Sequence, residues 1–343
     1  MAEKIKTYVK ERPGIVSKIV LIVFPFAVLL IGLSVGRIGI GLNDVFAAIG
    51  RLFSGQEAAG MNDVVIRSMR LPRLLLAALA GAGLSVSGAI FQGLFSNPLA
   101  TPDTLGVASG SGFGAVLAML LGFNMTGIQL LAVAFGIIAV MLTALFGKAA
   151  PEGRINMVLA GIMVGSLFSA LISLVKFTAD TESQLPAITY WLLGGMDSAG
   201  YGTLLLGAPP IIICLIFFFL IRYRTNLLPL HEDEARSMGV NIKRLRIVCI
   251  IGSTMITASC VSMCGQVGWV GLIVPHFCRM LFGSNNVKLI PASISIGAGF
   301  MMLVDTLART ISPKEIPISV LTAIIGAPFF ILMLRKRGAS TFG

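Results

Sequence analysis

Few residues in this chain have the types and spacing to do chemistry. Arg70 and Arg73, with Arg67 a turn earlier, stand just before an apolar run, and Arg309 and Lys314 follow another. A guanidinium presents a planar fork of N–H donors, so such a group suits the recognition of carboxylates. His276 and Arg279 lie one helical turn apart, a spacing met more often in a hydrogen-bonded packing cluster than in a catalytic pair. Cys260 and Cys264 would share a helical face, but no histidine or acid stands beside them, which favours buried thiols over a metal site. Asp305 is an acid within an apolar run and could carry a proton. Arg309, four residues on, offers it an ion pair instead. No Gly-x-x-x-x-Gly-Lys-Ser/Thr phosphate loop and no zinc-protease pattern occurs. Nothing here supports covalent chemistry, so the chain reads as a route rather than a reaction centre.

The elements that must position these residues are membrane helices. Of 343 residues 56% are hydrophobic and 12% charged, and the mean hydropathy is +0.93. A soluble protein of this size could not cover so much apolar surface, so the expected class is an all-α polytopic membrane protein. Apolar runs recur at about 19–36, 71–95, 106–122, 127–147, 155–177, 203–221, 245–263, 268–283, 289–307 and 317–334, giving ten candidate spans. The eighth is short and carries Pro275, so it is expected to be broken or partly inserted. The basic start followed by Ile19 to Val35 resembles a signal peptide, but without a small-residue cleavage site it reads as a retained first span.

The net charge of +11 is spread too evenly for a nucleic-acid surface. It fits topology instead. With both termini inside, 18 of the 26 basic residues fall on the inner side, as the positive-inside rule requires. Arg70, Arg73 and Arg309 are then outside, and an acidic partner docking there would account for them, with interfacial anchoring as the alternative. On that docking reading, reversing their charge should leave the fold intact.

Two inner segments stand out within one permease domain, 1–343, which opens with a short cytoplasmic segment, 1–18. The second run carries a small-residue stripe, Gly81, Ser85, Gly88 and Ala89, and ends in Asn97-Pro98-Leu99-Ala100-Thr101-Pro102. The stripe allows helices to approach backbone to backbone, and the two prolines impose a rigid turn. The longest inner loop, 222–246, contains a short helix from His231 to Met238 with Glu232, Asp233 and Glu234 at its start and Gly239 at its end. That arrangement suits the helix dipole and a glycine cap. Leu230, Ala235 and Met238 would give it an apolar face, a handle for a soluble partner.

These residues carry a resemblance. Arg70-Leu71-Pro72-Arg73, Gly81-Ala82, Ser87-Gly88, Gln92, the Asn97 to Pro102 turn, Leu105-Gly106, Leu159-Ala160-Gly161 and Trp191 to Gly195 are similar to the FecCD-type permeases. So are Met238-Gly239, Val270 to His276, Arg279, Asp305, Leu307-Ala308-Arg309, Glu315-Ile316-Pro317 and Gly326 to Phe330. The family supplies the membrane subunits of ABC importers for ferric siderophores, haem, cobalamin and related metal chelates. The resemblance implies a dimeric type II importer of ten-helix subunits in the inner (plasma) membrane, with the pathway between a second permease subunit and this one. It implies two cytoplasmic ATPase subunits carrying ATP and Mg, an extracytoplasmic binding protein, and no cofactor in this chain. It makes Arg70, Arg73 and Arg309 the docking residues, Asn97, Pro98 and Leu99 the cytoplasmic gate, and Glu232, Glu234, Ala235, Met238 and Gly239 the ATPase-coupling helix. A ferric siderophore is the expected cargo, ahead of haem, cobalamin or an oxyanion.

The sequence departs from the pattern at Gly265-Gln266-Val267-Gly268-Trp269 and at Ser284 to Lys288. The alternatives are an ion- or proton-coupled secondary transporter using Asp305 and Lys176, and a membrane assembly protein without transport activity. The short inner helix separates the first from an ABC permease, since a self-powered carrier has no ATPase to dock.

Overall fold

The computed structural model describes residues 14–147, 153–230, 232–312 and 314–339, which are helical with no strand among them. The first thirteen residues, Lys148, His231 and Pro313 lie outside the described residues. In chain order the helices are α1 (Ile15–Ser34), α2 (Leu42–Phe53), α3 (Leu71–Leu94), α4 (Val107–Leu120), α5 (Met125–Gly147), α6 (Gly153–Thr178) and α7 (Gln184–Leu192). There follow α8 (Tyr201–Ile221), α9 (Glu232–Ser237), α10 (Ile242–Cys264), α11 (Val270–Phe282), α12 (Asn286–Thr310) and α13 (Ile318–Ala339). A short turn, Met61–Val64, and a π-helical turn, Val65–Arg70, lead directly into α3.

Every apolar run in the sequence is a helix here. Six helical stretches are long and apolar enough to cross a bilayer, and four shorter apolar helices, α1, α4, α11 and α13, accompany them. The expectation of a short eighth run holds. The 13 residues of α11 extend about 20 Å, less than the roughly 30 Å of hydrocarbon in a bilayer.

The bundle is assembled around α3. Of its most apolar window 83% is buried, against 28% for the corresponding window of α6. The small-residue stripe explains how. A β-carbon at Gly81 would overlap the Gly297 carbonyl on α12, and one at Gly88 would overlap the Gly271 carbonyl on α11. Ser85 Oγ donates to the Ser293 carbonyl at 2.6 Å, and Ser87 Oγ to the Ser253 carbonyl on α10 at 3.1 Å. Close backbone approach and interhelical hydrogen bonds replace the hydrophobic drive that lipid removes. A second layer, α4 to α6, packs through the rings of Phe113, Phe135 and Phe168, with the first two edge to face at 5.0 Å.

Two surface helices escaped the sequence reading. In α2, Val45 and Ala48 turn inward while Leu42, Phe46 and Phe53 stay exposed, and Arg51 pairs with Asp63 at 2.5 Å. In α7, Ile188 packs against Val116 and Val175. Both are short and partly polar, so neither shows as an apolar run.

Candidate functional site

Where α3 begins and α12 ends, five charged side chains form a closed network. Asp305, fully buried, accepts from Arg73 Nε at 2.7 Å, and Arg309 Nε lies 3.7 Å from its other oxygen. Arg73 Nη1 also donates to both Glu315 oxygens at 3.0 and 2.8 Å. Arg70 is only 5% exposed and gives its donors to the carbonyls of Leu33, Ser34 and Ile38. Arg309 donates to the Gly32 carbonyl. Two arginines thus cap the last turn of α1, where the helix leaves carbonyls without intrahelical partners. Gly36 has no side chain, and a β-carbon there would overlap the Arg70 guanidinium and crowd that of Arg309.

The structure therefore brings the three docking candidates together but turns their donors inward. The expectation that their charge could be reversed without harm to the fold is corrected by this geometry. A glutamate at position 70 would place a carboxylate against three carbonyl oxygens. A cavity of about 380 Å³ opens beside the network, lined by Arg37, Arg70, Arg73 and Arg309 with Asp197 and Glu315.

At the opposite end of α3 the gate candidates form one tight turn. Ser96 has φ +51°, an uncommon conformation for a residue with a β-carbon. Asn97 N–H donates to the Gln92 carbonyl at 3.1 Å, its Oδ1 accepts from Leu99 N–H at 2.9 Å, and its carbonyl accepts from Ala100 N–H at 3.1 Å. Pro98 sits inside this Asx turn and Leu99 is 57% exposed at its tip. The Thr101 and Thr104 side chains then close a capping box over the turn Pro102–Leu105. Besides the prolines, these hydrogen bonds hold the turn in one shape.

The coupling candidates lie on a short hairpin. Glu232 and Glu234 stand in the first turn of α9, and Glu232 pairs with Lys243 at 3.2 Å. Ala235 is buried, and its carbonyl accepts from Met238 N–H and Val240 N–H at 3.2 and 3.0 Å. Gly239 has φ +72°, the left-handed cap expected of a glycine there. The predicted apolar face is split. Ala235 points inward, whereas Met238 is 62% exposed.

Other sequence expectations resolve similarly. Cys260 and Cys264 are buried thiols, with Cys264 Sγ donating to the Cys260 carbonyl. His276 and Arg279 line one cavity at the C-terminal end of α3, where Arg279 donates to Gln92 Oε1 and the His276 ring lies near that of Phe330. Residues that the sequence left unassigned include Glu315, Gln92 and Asn285, which caps α12 by accepting from Val287 N–H at 2.9 Å. Each finds its partner far along the chain or acts only through a local cap, and neither leaves a periodic signal.

With this geometry in place, comparison with known proteins is informative. The model of the FecCD transport family matches residues 21–336. A molybdate import system permease protein of Haemophilus influenzae is 39% identical over 308 residues, 90% of this chain and 91% of that protein. A ferric citrate import system permease protein of Bacillus subtilis is 35% identical, covering 96% of this chain and 98% of its own length. A solved structure, described as a metal-chelate type ABC transporter in an inward-facing conformation, superposes with a TM-score of 0.83 at 38% identity, over 92% of this chain and 97% of that one. Family match, length and helix arrangement agree. This chain belongs to the FecCD transport family, as a multi-pass membrane permease of the metal-chelate type of ABC importer.

Proposed function

We propose that this chain forms half of the pathway of a binding-protein-dependent, ATP-driven importer whose cargo is a ferric chelate. The observation that carries this reading is the end-to-end likeness to a metal-chelate type transporter structure. The surface of α6 agrees with it. Leu159, Ile162, Met163, Leu167, Leu174 and Phe177 are all exposed in the single chain, an apolar face open to a second copy or to lipid. A second permease copy covers part of it, and cargo passes between the two.

In this reading the arginine-rich end faces outward with ten crossings and both termini inside. Its positive field draws an acidic binding protein without the buried guanidiniums making the contact themselves, since electrostatic steering acts over about a Debye length of 8–10 Å. The exposed Leu99 of each copy meets its counterpart and excludes water at the inner end. Met238 and the acidic first turn of α9 seat in the ATPase. ATP and Mg belong to that subunit, and this chain contributes motion rather than chemistry, as two arrangements of packed helices exchange.

A second cargo reading, an oxyanion, is favoured by one observation, the 39% identical molybdate permease relative. Proteoliposomes holding this chain, its ATPase and its binding protein should take up one labelled cargo class when ATP is enclosed. A panel of ferric citrate, a ferric hydroxamate, haem, cobalamin and molybdate decides between chelate and oxyanion. Uptake that ignores ATP but follows an imposed proton gradient would return the chain to the secondary-transporter reading.

A further inference from the structure

Beside the proposed gate turn, the inner end of α3 holds a polar cavity to which the permease reading assigns no ligand. About 410 Å³ in volume, it lies between the Asn97–Pro98 turn, the Asn226–Pro229 segment, α11 and the start of α12. Its size falls in the roughly 300–1,000 Å³ range of small-molecule pockets. The wall carries Arg279, Gln92, Asn97, Asn226 and Asn286 but no aspartate or glutamate. Arg279 is half-buried, and no carboxylate pairs with it among the described residues. It donates only to uncharged oxygens, Gln92 Oε1 and, at 3.5 Å, the Ala89 carbonyl.

A guanidinium taken partly out of water without a counter-charge is costly, and the outer cluster shows how this chain normally meets that cost. The amides around it point the same way. Asn97, exposed on the cavity rim, spends its Oδ1 on Leu99 N–H, which leaves its Nδ2 as the group it can offer an incoming anion. The Asn286 side chain, only 7% exposed, has no partner among the described residues. Asn226 Oδ1, the acceptor that would repel an anion, is occupied by Asn286 N–H at 2.7 Å. The positive end of α12 completes the wall.

We propose that this cavity is an oxyanion site, taking a phosphate-like group on Arg279, Asn97 and Asn286 beside the Asn97–Leu99 turn. The group is either a free oxyanion or the phosphate of an anionic lipid headgroup. Because Asn97 anchors the turn, an anion there would bias the turn toward one of its arrangements. The inference does not depend on the imported cargo.

The test uses the full chain in phosphatidylcholine vesicles, with thermal unfolding followed during titration with phosphate or molybdate, and again in vesicles containing phosphatidylglycerol. An anion-dependent rise in the midpoint is expected. Arg279→Gln should abolish it, Asn97→Ala and Asn286→Ala should each weaken it about tenfold, and Arg279→Lys should retain part of it. Response to the soluble anions alone identifies a free oxyanion, and response only with phosphatidylglycerol identifies a headgroup. Should Arg279→Gln fail to fold, the two asparagine variants carry the test. No response in the unmodified protein under any condition, or an undiminished response in the variants, overturns the proposal.

Discussion

The two ends of α3 each gather arginine, and they treat it in opposite ways. At its N-terminal end Arg73 and Arg309 surround the buried Asp305, Glu315 pairs with Arg73, and Arg70 and Arg309 cap the last carbonyls of α1. Every charge there has a partner, and three helices are tied together through it. At the C-terminal end Arg279 has no acid among the described residues, the turn beside it is held through backbone bonds and Asn97, and Leu99 is exposed. A closed network braces, whereas an open one is left to bind or to move. The expected docking residues therefore have structural partners of their own, whereas Arg279 at the other end has no acidic one among the described residues.

The largest effect that could break this contrast lies at Asp305. Its replacement by alanine leaves Arg73 and Arg309 buried beside each other without their shared carboxylate, a loss of about 3–5 kcal/mol. A lower melting midpoint and less monodisperse protein in detergent are expected. A variant as stable as the parent that has lost proton-coupled uptake would instead make Asp305 a relay.

Arg70→Ala should cost about 1–3 kcal/mol, because the carbonyls it caps lose their donors. Arg70→Glu should cost more. Hydrogen exchange at the last turn of α1 should rise in both, and unchanged exchange would detach Arg70 from the brace.

The coupling-helix candidates should respond differently. Replacing Glu232, Glu234 and Met238 together should change stability by less than about 1 kcal/mol, as expected of exposed side chains and a surface ion pair. ATPase association measured by co-purification should nevertheless fall sharply. Equal loss of stability and association would mean that α9 is part of the brace.

The smallest effect on stability is expected at Leu99, within about 0.5 kcal/mol for Leu99→Cys in a background lacking the five native thiols. Cross-linking between two copies should then depend on nucleotide. If position 99 never meets its counterpart, the gate lies elsewhere.

The pattern of what was legible follows from the range of each interaction. Hydropathy placed all ten apolar helices within a few residues, because a membrane helix satisfies its own backbone and needs only a continuous apolar run. The small-residue stripe of α3 was readable for the same reason, since Gly81, Ser85 and Gly88 recur at helical spacing on one element. Helix α9 and its Gly239 cap were likewise local. The amphipathic α2 was not found, being polar enough to look like a loop.

What sequence by itself determined was class, span positions and membership of a family. Which way the arginines face was decided only by tertiary structure. Arg73 meets Glu315 across 242 positions and Arg279 meets Gln92 across 187. Nothing in the spacing of a charged residue tells whether its partner will be a carboxylate, a helix-end carbonyl or a side-chain amide. That outcome depends on which helix ends are brought together. In a bilayer, packing of small residues brings them together, and each buried charge must take the partner that this packing supplies.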